Sequence, residues 1–408
     1  MCIRDSLTGD KKNITVVGDD SQSIYSFRGA NFGNIMTFTE RYPEAAIFKL
    51  EINYRSTKEI LDFANASIAH NRRQHKKKLV CANGNRGSLP VLKAFRNVYE
   101  QADGITNEIK NLIRNGISYG EIAVLYRSHY HSMELQMELT RHNIPFTIHS
   151  GLKFFELAHI KTLTAFLKAF ENLQDFVSWK RLLSICQGIG PKTAGKLTEK
   201  ISKLKNISEL NAKELLSIIP AKSHDSFKEL LFIFESILKR PSFRPDECIK
   251  DIIESPFFNH YLIKNFQNIG ERTDDCFQFA SFAENFKTLR GLIDELSLVS
   301  SGEDYYNGCQ GVVLSSIHQA KGLEWPYVFI IWLAEGKFPV YKGININEHL
   351  EEERRLFYVA TTRAKKKLYL CFPQCDTRNK HGFERWLEPS RFIVEIPPHL
   401  YKDINDYY

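Results

Sequence analysis

The chain of 408 residues has no apolar run that approaches the length of a membrane-spanning helix. Its longest apolar run, residues 327–334, has the length of a β-strand. We therefore expect no contact with a membrane. A loop of the form G-x-x-x-x-G-K-[ST] is also absent, so the chain lacks the Walker A cradle for nucleotide phosphates.

The eight cysteines form no framework of disulfides or metal ligands. Only Cys371 and Cys375 are close in sequence, and no histidine lies beside them at the spacing of a zinc finger. Scattered cysteines of this kind are typical of reduced thiols in a cytosolic protein. We predict a cytoplasmic location and no metal site among these residues.

The composition is that of a globular protein, with 43% hydrophobic and 25% charged residues. The length is sufficient for two or three domains with substantial cores. A formal net charge of +7 is compatible with a nucleic-acid partner, but many basic proteins bind none. The charge alone therefore does not identify a partner.

An apolar run near the start, residues 14–17, predicts a buried strand that ends at Gly18. Ligands of α/β proteins bind beyond the carboxyl ends of strands. The residues that follow are therefore expected to line a ligand site. An amide there can sense a phosphate, while two aromatic rings and a guanidinium can contact a flat, anionic ligand. These residues are Gln22, Tyr25, Phe27 and Arg28.

A second segment lies where a strand predicted over residues 46–50 gives way to a helix. Ser56 and Glu59 form a capping-box signature ahead of that helix. Tyr54 and Arg55 are thus placed before a helix N-terminus, a region that favours anions. The basic run after the helix is either a solvated loop or a phosphate-contacting patch. Its residues are Arg72, Arg73, His75, Lys76, Lys77 and Lys78.

Alternating strand and helix patterns from residue 90 to residue 149 predict a βαβαβ unit and hence a parallel sheet. From Phe154 to about Ser300 the periodicity is helical, which indicates a helical domain inserted into the α/β domain. Strand patterns return after that region, around one further helix. The predicted strands are 90–95, 122–126, 146–149, 312–316, 328–332 and 368–372, and the predicted helices include 133–141 and about 347–363.

Within the helical region, residues 188–193 predict a glycine-rich hairpin before a helix. Pro191 suits the first helical position, and the backbone N–H groups of a helix start can bind a phosphate. A plain helix–helix turn is the alternative, and the motif alone leaves both open. The candidates for a phosphate-backbone contact are Gly188, Gly190, Lys192 and Thr193.

Two later stretches contain further polar candidates. Between two predicted strands, His318 and Lys321 can donate to phosphates, and Glu324 can accept from ribose hydroxyls. Arg363 lies at the end of the following helix, where it is either a partner of the helix dipole or an arginine finger.

Taken in order, these stretches resemble the motifs of superfamily 1A DNA helicases of the UvrD/Rep/PcrA type. Residues 18–30 are similar to their motif III and residues 53–56 to motif IV. Residues 124–128 are similar to the motif that follows, residues 317–324 to motif V, and residues 354–364 to motif VI. The resemblance covers essentially the whole chain after residue 12.

The resemblance implies two RecA-like parallel-sheet domains of the P-loop NTPase type, with ATP and Mg²⁺ in the cleft between them. Gln22 would contact the γ-phosphate, and Arg55 and Arg363 would act as arginine fingers. Tyr54 would stack on the adenine, and Glu324 would hold the ribose.

For DNA, the resemblance implies that single-stranded bases stack on Tyr25 and Phe27, at about 1–3 kcal/mol per base. Four basic side chains would follow the backbone, and the glycine-rich hairpin would contact duplex DNA at a single-strand/double-strand junction. The four are Arg28, Arg127, His318 and Lys321.

The implied function is an ATP-dependent 3′-to-5′ helicase or translocase of DNA replication or repair, a monomer or weak dimer that works with loading factors. The implied domains are a remnant of a first RecA-like domain (1–48), a second RecA-like domain (49–152 and 306–408) and a helical insert (153–305). In this family the Walker A and B motifs precede motif III. We therefore expect an N-terminally truncated chain that lacks the Mg²⁺ ligands and is inactive in ATP hydrolysis alone.

A non-catalytic DNA-binding or regulatory protein that kept the helicase fold is the alternative. Gln22, Arg55 and Arg363 favour the ATP-driven motor, since a binding module has no use for γ-phosphate sensors. A helicase–nuclease subunit is a third interpretation, and the sequence offers no added carboxylate cluster in its favour.

Overall fold

The computed structural model describes residues 14–24, 33–82, 84–149, 154–210, 212–266, 269–301, 311–340, 346–376 and 385–404. Their apolar side chains form two large hydrophobic cores. One core surrounds a parallel β-sheet, and we call the described residues of 49–149 and 311–404 the sheet lobe. The other is built from helices, and we call the described residues of 154–301 the helical lobe. The exact domain boundaries stay a prediction, for which the two cores are the physical basis.

The strands of the sheet lobe are β1 (Ile52–Asn53), β2 (Val80–Cys81), β3 (Val91–Asn97), β4 (Ile122–Tyr126), β5 (Phe146–Ile148), β6 (Val312–Ser316), β7 (Trp325–Ile330), β8 (Ala364–Asp376), β9 (Arg385–Trp386) and β10 (Lys402–Asp403). Strands β1 and β2 pair in parallel with each other. The main sheet has the order β10-β3-β8-β7-β4-β6-β5, all parallel, and β9 pairs antiparallel with β8. A parallel sheet is covered on both faces, and every residue of β4 is accordingly buried.

Helices α1 (Gly33–Met36), α2 (Phe38–Arg41), α3 (Lys58–Ile68), α4 (Val98–Arg114) and α5 (Met133–Arg141) precede the helical lobe. Asn97 caps α4, because its side-chain oxygen accepts the N–H groups of Tyr99 and Glu100, each at 3.0 Å. The bounds predicted for β4, α5 and β6 are confirmed.

The helical lobe consists of α6 (Ala158–Glu171), α7 (Phe176–Ile185), α8 (Pro191–Ile201), α9 (Ala212–Leu216), α10 (His224–Leu238), α11 (Pro245–Glu254), α12 (Pro256–Asn265), α13 (Ile269–Ala283) and α14 (Leu289–Ser301). In its core, the ring centroid of Phe234 lies 5.8 Å from that of Phe166 and 5.0 Å from that of Trp179. Strands β5 and β6, which flank this lobe in sequence, pair directly. The predicted α/β fold with a large helical insertion is therefore confirmed.

Helices α15 (Ile346–Thr361) and α16 (Arg391–Val394) complete the sheet lobe. No helix in the described part of the chain is both long and apolar enough to cross a membrane.

Two predicted strands are wrong. Residues 14–17 and 46–50 form no strand, and several of their apolar side chains face solvent, with Val17 83% and Phe48 86% exposed. A strand needs a neighbour that accepts its backbone hydrogen bonds and covers its side chains. Within the described ranges, neither segment pairs with another strand.

The capping box predicted for α3 is also wrong. Thr57 is the N-cap residue, and its side chain makes no capping hydrogen bond. The hydroxyl of Ser56 instead donates to the carbonyl oxygen of Ala364 at 2.6 Å. The Glu59 carboxylate accepts the N–H of Gly87 at 2.7 Å. Both side chains therefore join separate segments of the chain.

Candidate functional site

The pairing of β7 with β8 brings two predicted site residues together. The register aligns Trp325 with Ala364, and the N–H of Trp325 donates to the carbonyl oxygen of Arg363 at 3.0 Å. Residues that immediately precede two paired parallel strands lie at the same edge of a sheet. Glu324 and Arg363, which are distant in sequence, are therefore neighbours at the amino ends of these strands.

The turn that contains Tyr54 and Arg55 is attached to this edge. The Ser56 hydroxyl bonds to β8, as described above, and the N–H of Thr57 donates to the carbonyl oxygen of Lys365 at 3.2 Å. The side-chain oxygen of Asn53 shapes the turn by accepting the N–H groups of Arg55 and Ser56 at 2.8 and 3.0 Å. Tyr54 is 76% exposed, so its ring is accessible for stacking.

Glu324 lies between two cations. Its carboxylate accepts from the Arg55 Nε, and its Oε1 lies 2.7 Å from the Nζ of Lys365. The hydrogen bond from Lys365, helped by Arg55 and opposed by partial burial, holds the pKa of Glu324 below its ordinary value. Glu324 is therefore ionised at neutral pH and can accept further hydrogen bonds.

Arg363 is 1% exposed and is held by neutral oxygens. Its Nε donates to the carbonyl of Val359 at 3.0 Å, and its two terminal nitrogens donate to the carbonyl of Leu323 at 3.0 Å and the hydroxyl of Thr362 at 3.1 Å. Burial, followed by the charge of Arg55, lowers the pKa of Arg363 to about 10, so the guanidinium stays protonated at neutral pH.

Among the described residues, no carboxylate forms an ion pair with the Arg363 guanidinium, although Glu324 and Asp19 offset part of its charge from a distance. A buried cation without a paired anion is costly in a folded protein. The arrangement therefore favours the binding of an anion beside Arg363.

The turn that contains Gln22 packs against α15. Its residues Asp20–Gln22 form a single 3₁₀ turn, and the Asp19 carboxylate accepts the N–H of Ser21 at 3.0 Å. The side-chain amide of Gln22 donates to the other oxygen of Asp19 at 2.8 Å. The Nζ of Lys321 donates to the backbone carbonyl of Gln22 at 2.9 Å, which ties this turn to the loop that carries Glu324.

The predicted DNA contacts are only partly visible. Tyr25, Phe27 and Arg28 lie outside the described residues. His318 is half-buried in the loop after β6. Arg127 pairs with a carboxylate of α15: its Nε lies 2.8 and 3.1 Å from the two oxygens of Glu353, which is 1% exposed. The DNA contacts of these residues stay predictions.

The glycine-rich hairpin leads into α8 as the sequence predicts. Pro191 is the first residue of that helix and Gly190 its N-cap, while Lys192 is exposed. Gly188 has a φ of +80°, and a Cβ built on it would lie 2.5 Å from the Ser223 hydroxyl. The helix start is therefore formed, and its contact with phosphate stays a prediction.

Gly188→Ala is expected to destabilise the helical lobe by about 1–3 kcal/mol, because an L-residue is strained at positive φ and its methyl group would meet Ser223. Gly195→Ala is the matched control, since Gly195 lies inside α8 with open space around its Cβ position, where alanine is not destabilising. Urea denaturation of both variants measures the difference. Equal free energies of unfolding for the two variants would contradict the strain argument.

Sequence reasoning missed the role of Lys77. Its Nζ pairs with the carboxylates of both Asp19 and Asp20, across 58 and 57 residues of sequence. Neither a solvated loop nor a phosphate patch describes this side chain, which is only 16% exposed. The acidic pair beside Gln22 and the basic run were both visible in the sequence, but their contact was not.

Family profiles and known proteins match nearly the whole chain. The family profile described as UvrD-like helicase C-terminal domain matches residues 48–255 and 254–374, and that described as UvrD/REP helicase N-terminal domain matches residues 2–43. The chain is 34% identical over 405 residues to a protein of Staphylococcus epidermidis named ATP-dependent DNA helicase PcrA, covering 95% of this chain and 55% of that protein.

A protein of the same name from Leuconostoc citreum is 34% identical over 408 residues, covering 95% of this chain and 54% of that protein. The chain thus spans about half the length of the curated relatives that it matches. A solved C-terminal domain of a possible DNA helicase from Lactobacillus plantarum covers 86% of this chain and 99% of its own, at 11% identity and a TM-score of 0.34.

Proposed function

Because the chain belongs to the UvrD-like helicase family, we propose that it forms the nucleotide-sensing and DNA-binding part of an ATP-dependent DNA helicase. The observation that carries this proposal is the buried, protonated guanidinium of Arg363, which has no carboxylate ion-pair partner in the described part of the chain. Arg55 and Glu324 lie at the same edge of the sheet.

The residues at this edge fit the phosphate and sugar of ATP. Arg363 and Arg55 would stabilise charge on the γ-phosphate as arginine fingers, which carry out this role in phosphoryl transfer. The amide of Gln22 would sense the same phosphate. Glu324 would accept from the ribose hydroxyls, and Tyr54 would cover the adenine. ATP would bind together with Mg²⁺ and supply the phosphoryl group. The residues named here would orient that group and neutralise its charge.

A Walker A loop is absent from the 408 residues, so we propose that they do not hydrolyse ATP alone. The loop and the Mg²⁺ ligands would come from an N-terminal helicase domain, of which residues 2–43 match a part. The complete motor would translocate 3′ to 5′ on single-stranded DNA, open single-strand/double-strand junctions, and act in the cytoplasm as a monomer or weak dimer with loading factors.

DNA binding by the chain itself is the direct test of its DNA-binding part. We expect the chain to bind a fluorescein-labelled oligo-dT strand. The logarithm of the binding constant should fall linearly with the logarithm of the salt concentration, with a slope of about −0.7 per phosphate contacted. A mixed-sequence strand should bind similarly, since stacking and backbone contacts tolerate sequence. Fluorescence anisotropy measures the affinity of both strands at salt concentrations from about 50 to about 300 mM, roughly the range over which phosphate contacts weaken.

The absence of binding at low salt, or binding that salt does not weaken, would contradict this part of the proposal. Binding without any nucleotide-dependent activity after an N-terminal domain is supplied would instead favour the alternative, a non-catalytic DNA-binding protein with a helicase fold.

A further inference from the structure

The basic run after α3 is anchored on the sheet lobe and presents one lysine to the turn that contains Gln22. The backbone N–H of Lys78 donates to the Glu51 carboxylate at 2.8 Å, and an Arg73 terminal nitrogen lies 2.8 Å from the Glu348 carboxylate. Between these anchors, the Lys77 Nζ pairs with Asp19 and lies 3.2 Å from Asp20 Oδ1. Lys77 is therefore fixed in place and directed away from solvent.

The acidic pair that receives Lys77 determines where the Gln22 amide lies. One oxygen of Asp19 accepts the Lys77 Nζ and the N–H of Ser21, and the other accepts the Gln22 side-chain amide at 2.8 Å. Asp20 is 3% exposed, and its second oxygen accepts the N–H of His75 at 3.1 Å. Two adjacent carboxylates repel each other unless a cation lies between them. Lys77 supplies that cation.

We propose that Lys77 is a positioning residue for Gln22: it holds Asp19 and Asp20 and thereby fixes the amide that would sense the γ-phosphate. The inference rests on the proposed role of Gln22. Lys77 contacts neither nucleotide nor DNA in this scheme. With Lys321 on the Gln22 carbonyl, it joins the turn to the sheet lobe from two sides.

Hydrogen exchange tests the clamp without any ligand. In the full chain, Lys77→Gln is expected to speed amide exchange in the peptide over residues 19–24 by about tenfold, because local opening of the turn becomes easier. Lys77→Arg keeps the charge and should exchange near the wild-type rate. Lys78→Gln changes an exposed side chain of the same run and is the matched control. It should leave the exchange rate of this peptide unchanged. Mass spectrometry measures the exchange of this peptide in the wild type and in the three variants.

Unchanged exchange in Lys77→Gln, or equal acceleration in Lys77→Gln and Lys78→Gln, would overturn the proposal. Circular dichroism confirms that each variant is folded. Asp20→Asn removes one of the two carboxylates that pair with Lys77 and should also speed exchange of the peptide. The double variant with Lys77→Gln should exchange little faster than Lys77→Gln alone, because Lys77→Gln already breaks the ion pair that Asp20→Asn removes.

Salt-dependent DNA binding separates positioning from a phosphate contact. If Lys77 bound DNA, Lys77→Gln would reduce the logarithmic salt slope by about 0.7. We expect an unchanged slope in Lys77→Gln, and a reduced slope would overturn the proposal. Failure of the wild-type chain to bind DNA would contradict the proposed function instead, and the exchange measurements would still decide the role of Lys77.

Discussion

Replacing Arg363 with alanine is expected to lower the rate of ATP hydrolysis by about 10³- to 10⁵-fold, the range found for arginine fingers, when the chain is joined to an N-terminal helicase domain with a Walker A loop. The physical reason is that the folded protein already holds this side chain charged, oriented and shielded from water. Its guanidinium is buried, protonated and held by three neutral oxygens. The protein has therefore already desolvated the charge, and an anionic phosphoryl group would be its missing partner.

The measurement is steady-state ATP hydrolysis with saturating single-stranded DNA. We expect a large fall in kcat and a smaller change in KM, since an arginine finger acts on charge that develops during transfer. Arg363→Lys should not restore the rate, because the ammonium group of lysine lacks the planar fork of donors with which the guanidinium reaches its three acceptor oxygens. Arg290→Ala is the control, as Arg290 is 70% exposed in the helical lobe. A loss below about tenfold in kcat would indicate the helix-dipole role of Arg363 instead.

The adjacency of Glu324 and Arg363 illustrates what the sequence could predict. Each residue was a candidate from its own motif, and β8 was predicted as a strand. Their contact follows from the register of β7 with β8, which pairs Trp325 with Ala364. No periodicity within either strand specifies that pairing. The resemblance to known helicases suggested the common site, and the structure supplies the hydrogen bonds that build it.

Elements whose signals are local were predicted well. The helix at 133–141 and the strand at 122–126 have the predicted bounds, because apolar periodicity reports which side chains a segment must bury. Residues 14–17 and 46–50 are also largely apolar but form no strand. An apolar pattern shows what a segment needs to bury and does not show that a neighbouring strand is present to cover it.

The contact of Lys77 with Asp19 and Asp20 belongs to a third class, which no local pattern reveals. A run of lysines has the same appearance whether it faces solvent, phosphate or a carboxylate. Only the fold shows that one member of the run, Lys77, is largely covered while Lys78 is exposed. Long-range ion pairs are thus the part of this candidate site that only the folded structure reveals.

Phe234→Ala is expected to lower the free energy of unfolding of the helical lobe by about 3–5 kcal/mol, the usual cost of removing a buried phenylalanine ring. The ring is 1% exposed and contacts the rings of Phe166, Phe170 and Trp179. The surrounding structure is expected to close only part of the cavity that the ring leaves. The matched control is Phe232→Ala in the same helix, because Phe232 is 58% exposed and should cost about 0.5 kcal/mol or less.

This variant also tests whether the two lobes are separate domains. If each hydrophobic core folds independently, Phe234→Ala should speed hydrogen exchange in peptides of α6 and α10 and leave those of β4 and β7 unchanged in mild urea. Equal acceleration in both lobes would show one cooperative unit and contradict the predicted boundary near residue 153. Independent folding would allow the helical lobe to change orientation while the edge formed by Glu324 and Arg363 stays intact, since every hydrogen bond described at that edge lies outside the helical lobe.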